Sequence, residues 1–188
     1  MERAMNTRID PAVGPYEKDM EETLARLMPE GVEPLVLFRT LARNPRVFRR
    51  FMAGGLLDKG TLTMRQREIV IDRACGLCGG EYEWGVHVAF FAEKVGFGAE
   101  EIAATVAADG ASASCWSAEE RLIMELVDEL HRTQTLSDGL WARLKVVFTD
   151  EQLIEMIVLA GLYHMVSFVV NGLKLPLETY GARFPESV

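Results

Sequence analysis

The sequence predicts an all-α protein, a bundle of antiparallel helical hairpins. Three observations carry that reading. Apolar residues recur with a 3.6-residue period in segment after segment, and no segment alternates apolar and polar residues as a half-buried strand does. Pro, Gly and Ser/Thr/Asn punctuate the chain at intervals of roughly one helix length. Thr63 with Gln66, Ser117 with Glu120 and Thr149 with Gln152 have capping-box form, in which side chains satisfy the unpaired N–H groups of a first helical turn.

Taken in order, Tyr16 to Met28 forms a first helix closed by Pro29 and Gly31. Pro34 opens an apolar segment from Leu35 to Ala42. Asn44-Pro45 joins an N-cap to a first-turn proline and starts a short helix that Gly54-Gly55 ends. Thr63 caps a helix through Met64, Ile71, Ala74 and Leu77 to the Gly79-Gly80 pair. The next runs from about Glu81 to Val95 and stops at Gly96. Ala99 to Ala107 is shorter and ends at Asp109-Gly110. Ser117 begins a helix to about Arg132, Ser137 another, and Thr149 the last, which ends at Asn171-Gly172. Eight or nine helices are expected.

The 188 residues suit one domain with a single core. Residues 1–14 read as a flexible arm and 15–188 as the domain. A hydrophobic fraction of 49% with 26% charged residues is that of an ordinary globular protein. The net charge of -8 and the absence of any Lys/Arg cluster argue against nucleic acid and anionic membrane surfaces as partners. The N-terminal MERAMNTRIDPAVG lacks the apolar core of a secretory signal. Ile157 to Val170, the most apolar stretch, is short for a bilayer and carries Tyr163, His164 and Ser167, so it fits a core helix. Three cysteines, Cys75, Cys78 and Cys115, without an export signal point to reduced thiols and a cytoplasmic setting.

Glu68 lies in the first turn of the Met64 helix, and His87 lies in the interior of the following one. A hairpin through Gly79-Gly80 would set the start of one helix beside the interior of the other. Glu68 and His87 then meet. A carboxylate that fixes an imidazole tautomer and stabilises the imidazolium is a general acid/base unit, although a lone histidine before Phe90 and Phe91 also suits a hydrogen-bonded core position. Glu83, four residues before His87, shares its helical face.

The segment TLTMRQREIVIDRACGLCGGEYEWGVHVAFFAEKVGFGAEEI resembles the signature region of the carboxymuconolactone decarboxylase family of the AhpD-like superfamily. Glu68, Tyr82, Glu83, Trp84 and His87 fall in register. TDEQLIEMIVLAGLYHMVSFVVNGL resembles the family's terminal helix, with Tyr163 and Asn171 in place, and the similarity runs over roughly residues 34 to 176. The resemblance implies the AhpD-like helical fold and a homo-oligomer. It also implies cofactor-independent acid/base chemistry on a small organic acid or lactone. His87 would be the general acid/base, Glu68 its orienting partner and Glu83 a further catalytic carboxylate. Tyr82, Trp84 and Tyr163 would face the substrate, and Arg67 or Arg73 would anchor a carboxylate.

Two other classes stay open. AhpD-like thiol peroxidases carry Cys-x-x-Cys just before the His; those positions here are Gly80 and Glu83, while Cys75 and Cys78 form a pair five residues earlier. That pair is either a redox dithiol or two small residues late in a buried helix, near the end whose dipole disfavours a thiolate. A non-catalytic oligomeric binding protein of the same fold is the third class. No metal site is expected, because His131 and His164 are isolated in the sequence and structural zinc takes four ligands. His131 reads as complementing its helix dipole, and Trp116 and Trp141 as core aromatics.

Overall fold

A computed structural model describes residues 7–28, 31–56 and 58–185. Among them are nine α-helices and a short 3-10 turn at Gly110–Ser112: α1 Lys18–Leu27, α2 Val36–Leu41, α3 Pro45–Ala53, α4 Met64–Leu77, α5 Glu81–Val95, α6 Ala99–Val106, α7 Ala118–Thr133, α8 Asp138–Val147 and α9 Asp150–Gly172. The fold class is all-α. All three expected capping boxes form, before α4, α7 and α9, with both reciprocal hydrogen bonds in each. Asn44 caps α3 by accepting from the Val47 amide, with Pro45 in the first turn where its missing N–H costs nothing.

Helix α4 is the hub, packed against α5, α7, α9 and α6. Its Ile69, Val70, Ile71 and Ala74 are fully buried among Met124, Leu126, Leu153, Met156 and Leu159. Because it is covered on every side, its polar Glu68, Asp72 and Arg73 are buried as well. Gly79 reverses the chain after α4 with φ +60, a left-handed conformation that glycine adopts without a Cβ penalty. The antiparallel α4–α5 hairpin follows.

A second apolar cluster joins α1 to α3 with Tyr82 and Val86 of α5 and Val166 and Val170 of α9. Residues 7–14, expected to be a flexible arm, lie along this layer. The Arg8 amide donates to Leu173 O, the Ala12 amide to Arg39 O and Arg43 Nε to Asp10 O. Residues 1–6 of that arm lie outside the described residues. The C-terminal segment straps the opposite side: the Ala182 amide donates to Gly85 O at 2.9 Å, and the Phe184 amide to Glu81 Oε1.

Helix α9 has 23 residues, longer than the apolar stretch read from the sequence, and is long and apolar enough to cross a membrane. Here it is a core helix, with Leu153, Met156, Leu159, Ala160, Tyr163, Val166, Ser167 and Val170 buried. Trp116 is a core aromatic, donating its indole N–H to Gly110 O, whereas Trp141 lies on the surface. Trp141 is exposed because α8 buries the face of Leu140 and Leu144.

Candidate active site

The α4–α5 hairpin brings Glu68 and His87 together. His87 Nδ1 donates to Glu68 Oε2 at 2.7 Å, and its Nε2 lies 3.0 Å from the Tyr163 hydroxyl of α9. Glu83 Oε1 is 3.6 Å from Nε2, an ion-pair distance beyond hydrogen-bond reach. On the other side of Glu68, Arg67 Nε and Nη2 both donate to Oε1, at 3.1 and 3.0 Å. Phe91 lies beside the His87 ring, and the Arg67 guanidinium lies over Phe91 at 5.7 Å.

The charges of this cluster compensate one another. Burial alone would lower the pKa of His87, but the Glu68 and Glu83 carboxylates outweigh it and raise His87 to about 10. His87 is therefore an imidazolium at neutral pH, with both ring nitrogens donors, so Nε2–H donates to the Tyr163 oxygen. Arg67 and His87 balance Glu68 and Glu83. Asp72, one turn beyond Glu68 on α4, is pushed well above the usual carboxylate range, chiefly by burial. Burial likewise raises the Tyr163 hydroxyl. Two buried oxygens, Glu83 Oε2 and Asp72 Oδ1, have no hydrogen-bond partner among the described residues.

Sequence reasoning missed Asp72; its signal was an acid set among Ile69, Val70, Ile71 and Ala74, where only a partnered or neutral carboxyl is tolerated.

Other expected site residues sit apart from this cluster. Tyr82 lies five residues before His87, about 140° around α5 at 100° per residue. Its hydroxyl instead donates to Glu178 and accepts from the Leu37 amide, tying α5 to the C-terminal strap and α2. Trp84 is buried, donates to Thr105 Oγ1 at 2.9 Å and packs edge-on against Phe184. Arg73 is no free anchor: it is fully buried, pairs with Asp128 at 2.5 Å and donates to Ala107 O at 2.6 Å. Cys75 is buried and Cys78 half-buried, both free thiols, and burial raises both pKa values.

Glu68 and His87 are 0% and 4% exposed. The largest cavity described, about 640 Å³ between α4, α7 and α8, is lined by Arg73, Asp128, Glu129 and Arg143 and does not reach them. A smaller pocket of about 250 Å³ opens at Arg67, with Lys59, Met64, Asp58 and Glu155 in its wall. Of the cluster, that pocket is lined by Arg67 but not by Glu68, Glu83, His87 or Tyr163.

His131 and His164, isolated in the sequence, meet in the fold because the end of α7 lies beside the middle of α9. His131 Nδ1 is 2.9 Å from His164 Nε2, and Cys78 Sγ is 4.0 Å from the same His131 nitrogen. The expectation that these histidines stand alone is thereby corrected: they are 33 residues apart, a separation no local spacing rule reads.

The carboxymuconolactone decarboxylase family profile matches residues 44–128, from the N-cap of α3 into α7. It takes in Glu68, Glu83 and His87 but not Tyr163. No curated protein sequence matches the chain. Among solved structures, an uncharacterized peroxidase-related protein from Silicibacter sp. TM1040 superposes with a TM-score of 0.83 at 14% identity, covering 98% of this chain and 99% of the other. An alkylhydroperoxidase AhpD core protein from Ralstonia eutropha JMP134, also peroxidase-related and uncharacterized, gives 0.76 at 15% identity over 91% and 93%. A variant of the debrominase Bmp8 in complex with 2,3,4-tribromopyrrole gives 0.74 at 12% identity, covering 95% of each chain. At such identities these structures establish the fold alone. The chain thus matches the carboxymuconolactone decarboxylase family profile over residues 44–128 and shares the AhpD-like helical fold along its length.

Proposed function

We propose that the chain is a carboxymuconolactone decarboxylase-like enzyme, working without a cofactor on a small organic acid or lactone, with His87 as proton donor. The observation that carries this is the buried His87 ring, held by Glu68 at Nδ1 and set 3.0 Å from the Tyr163 hydroxyl and 3.6 Å from Glu83 at Nε2. Loss of carbon dioxide leaves the electrons of the broken C–C bond on the substrate, delocalised toward its carbonyl. His87 delivers a proton from Nε2 to that carbon. Glu68 holds the ring by Nδ1, and solvent returns the lost proton past Tyr163 and Glu83, whose Oε2 is free to accept. Arg67, with Lys59 in the pocket beside it, supplies positive charge for an anionic substrate at the outer edge of the cluster.

The test is a panel of small carboxylated lactones and carboxylic acids incubated in deuterated buffer, read by mass spectrometry for carbon-bound deuterium and carbon dioxide release. Deuteration or decarboxylation by the parent, lost in His87→Gln, supports the reading; a full panel without either removes it. The burial of Glu68 and His87 favours a second reading, a non-catalytic binding protein in which the same ion cluster only holds α4 to α5. The peroxidase-related neighbours favour a third, thiol redox chemistry, against which the burial of Cys75 and Cys78 stands.

We further propose that the protein is a homo-oligomer through α9. Ile154, Val158, Met165 and Phe168 are exposed and, with Gly161 between them, form one stripe along that helix. Val158 is 52% and Phe168 69% exposed, and their contiguity with Ile154 and Met165 makes a patch rather than single surface apolar residues. At Gly161 nothing lies within 4 Å of an added Cβ, so a second copy of α9 can approach closely.

A further inference from the structure

We infer that Cys78, His131 and His164 form a divalent metal site of the zinc class, with three protein ligands and one coordination position open. The site is separate from the His87 cluster. Adjacent residues of α9 serve the two: Tyr163 turns to His87 of α5, and His164 to His131 of α7.

The ligand geometry supports it. One ligand atom from each residue lies within 4.8 Å of the other two, with Sγ to Nδ1 at 4.0 Å and Nδ1 to Nε2 at 2.9 Å. A tetrahedral zinc with bonds of about 2.3 Å to sulfur and about 2.0 Å to nitrogen sets its ligand atoms about 3.3 to 3.6 Å apart. The observed separations bracket those edges, so small side-chain rotations suffice. One thiolate and two imidazoles are a borderline-soft donor set that zinc and cobalt(II) accept and magnesium or calcium do not. All three residues are partly exposed, which gives the ion an entry path and leaves the fourth position to water or a small anion.

The surroundings point the same way. His164 Nδ1 donates to Ala160 O at 2.8 Å, which leaves Nε2 without a proton and aimed at the other two ligands. A backbone carbonyl on the second ring nitrogen is the partner metal-binding histidines usually have. Cys78 sits at the end of α4, its carbonyl held by Asn171 Nδ2 at 3.0 Å. Binding forms a sulfur–metal bond and sends the Cys78 proton to solvent, while His131 moves its proton from Nδ1 to Nε2 with no net change.

The experiment titrates metal-stripped, reduced full-length protein with cobalt(II), then displaces it with zinc. The expected result is one cobalt per chain, a thiolate-to-cobalt charge-transfer band, visible d–d bands of tetrahedral intensity and release of about one proton in weak buffer. Cys78→Ser abolishes the charge-transfer band. His131→Gln and His164→Gln weaken binding by more than the roughly 10- to 100-fold that loss of an outer partner costs. Cys115→Ser changes nothing. Circular dichroism of Cys78→Ser, a small change at a partly exposed position, verifies its fold. Absence of the band in the parent, its survival in Cys78→Ser, or equal affinity in the histidine variants overturns the inference.

Discussion

Replacing Glu68 by Gln keeps the shape of the cluster and removes the carboxylate that accepts from His87. The consequence is read in stability against pH. With its folded pKa raised to about 10 and an ordinary value near 6.5, His87 binds a proton in the folded state that the unfolded chain has released across that interval. A raised histidine contributes stability that is full below about pH 6.5 and lost as pH climbs toward about 10. One extra bound proton gives a slope of about -1.4 kcal/mol per pH unit, hence roughly 3 kcal/mol between pH 7 and 9. Asp72, also raised, adds a slope of the same sign, and because Glu68 and His87 both act on it, the difference between parent and Glu68→Gln reads the cluster as a whole. The buried thiols and tyrosines add theirs only toward the alkaline end. In the variant the His87 slope shrinks, because only Glu83 is left to raise the ring, and at pH 6 the protein is weaker by about 3 kcal/mol, the lower part of the range for breaking a buried pair. Urea unfolding at pH 6, 7, 8 and 9 measures both effects. Equal slopes for the two proteins, or a His87 ring titrating near 6.5 by nitrogen chemical shift, would refute the charged cluster.

Peroxide consumption coupled to a thiol reductant is expected to stay at background in the parent and unchanged in Cys75→Ser and Cys78→Ser, since burial keeps both thiols protonated; turnover lost in either variant makes thiol chemistry the leading function. Phe168→Glu and Val158→Glu, on the exposed stripe of α9, shift sedimentation from oligomer to monomer without changing helicity; a parent that sediments as a monomer at micromolar concentration contradicts the self-association proposal. Gly85→Ala sets a methyl 2.3 Å from Ala182 O and forces the C-terminal strap to move, at a cost of about 1 to 3 kcal/mol in unfolding free energy, whereas an unchanged midpoint would mean that the strap does not pack there.

What could be read from the sequence was local. The capping boxes at Thr63, Ser117 and Thr149 and the glycine turn at Gly79 are written within four residues of one another, and each forms as expected. The juxtaposition of Glu68 with His87 needs one further step, an antiparallel hairpin, and was within reach. Contacts across the bundle were not. Glu178 receives the Tyr82 hydroxyl from 96 residues away, and Thr105 receives the Trp84 indole from a neighbouring helix, partners that motif register alone does not reveal. The charge state of His87 was equally hidden, because it depends on two carboxylates, Glu68 and Glu83, converging from two helices. A charged ring suits the acid half of the general acid/base role expected of the residue.

The measurement that tests the central claim most directly is proton delivery to substrate carbon. Parent, His87→Gln, Glu68→Gln and the Cys75→Ser/Cys78→Ser double variant are each given carboxylated lactones in deuterated buffer, with released carbon dioxide and carbon-bound deuterium followed by mass spectrometry. Turnover is expected from the parent and the cysteine double variant, with a loss of about 10²- to 10⁴-fold in His87→Gln, the range a general acid contributes. Turnover that survives in His87→Gln but disappears with the cysteines would contradict that expectation.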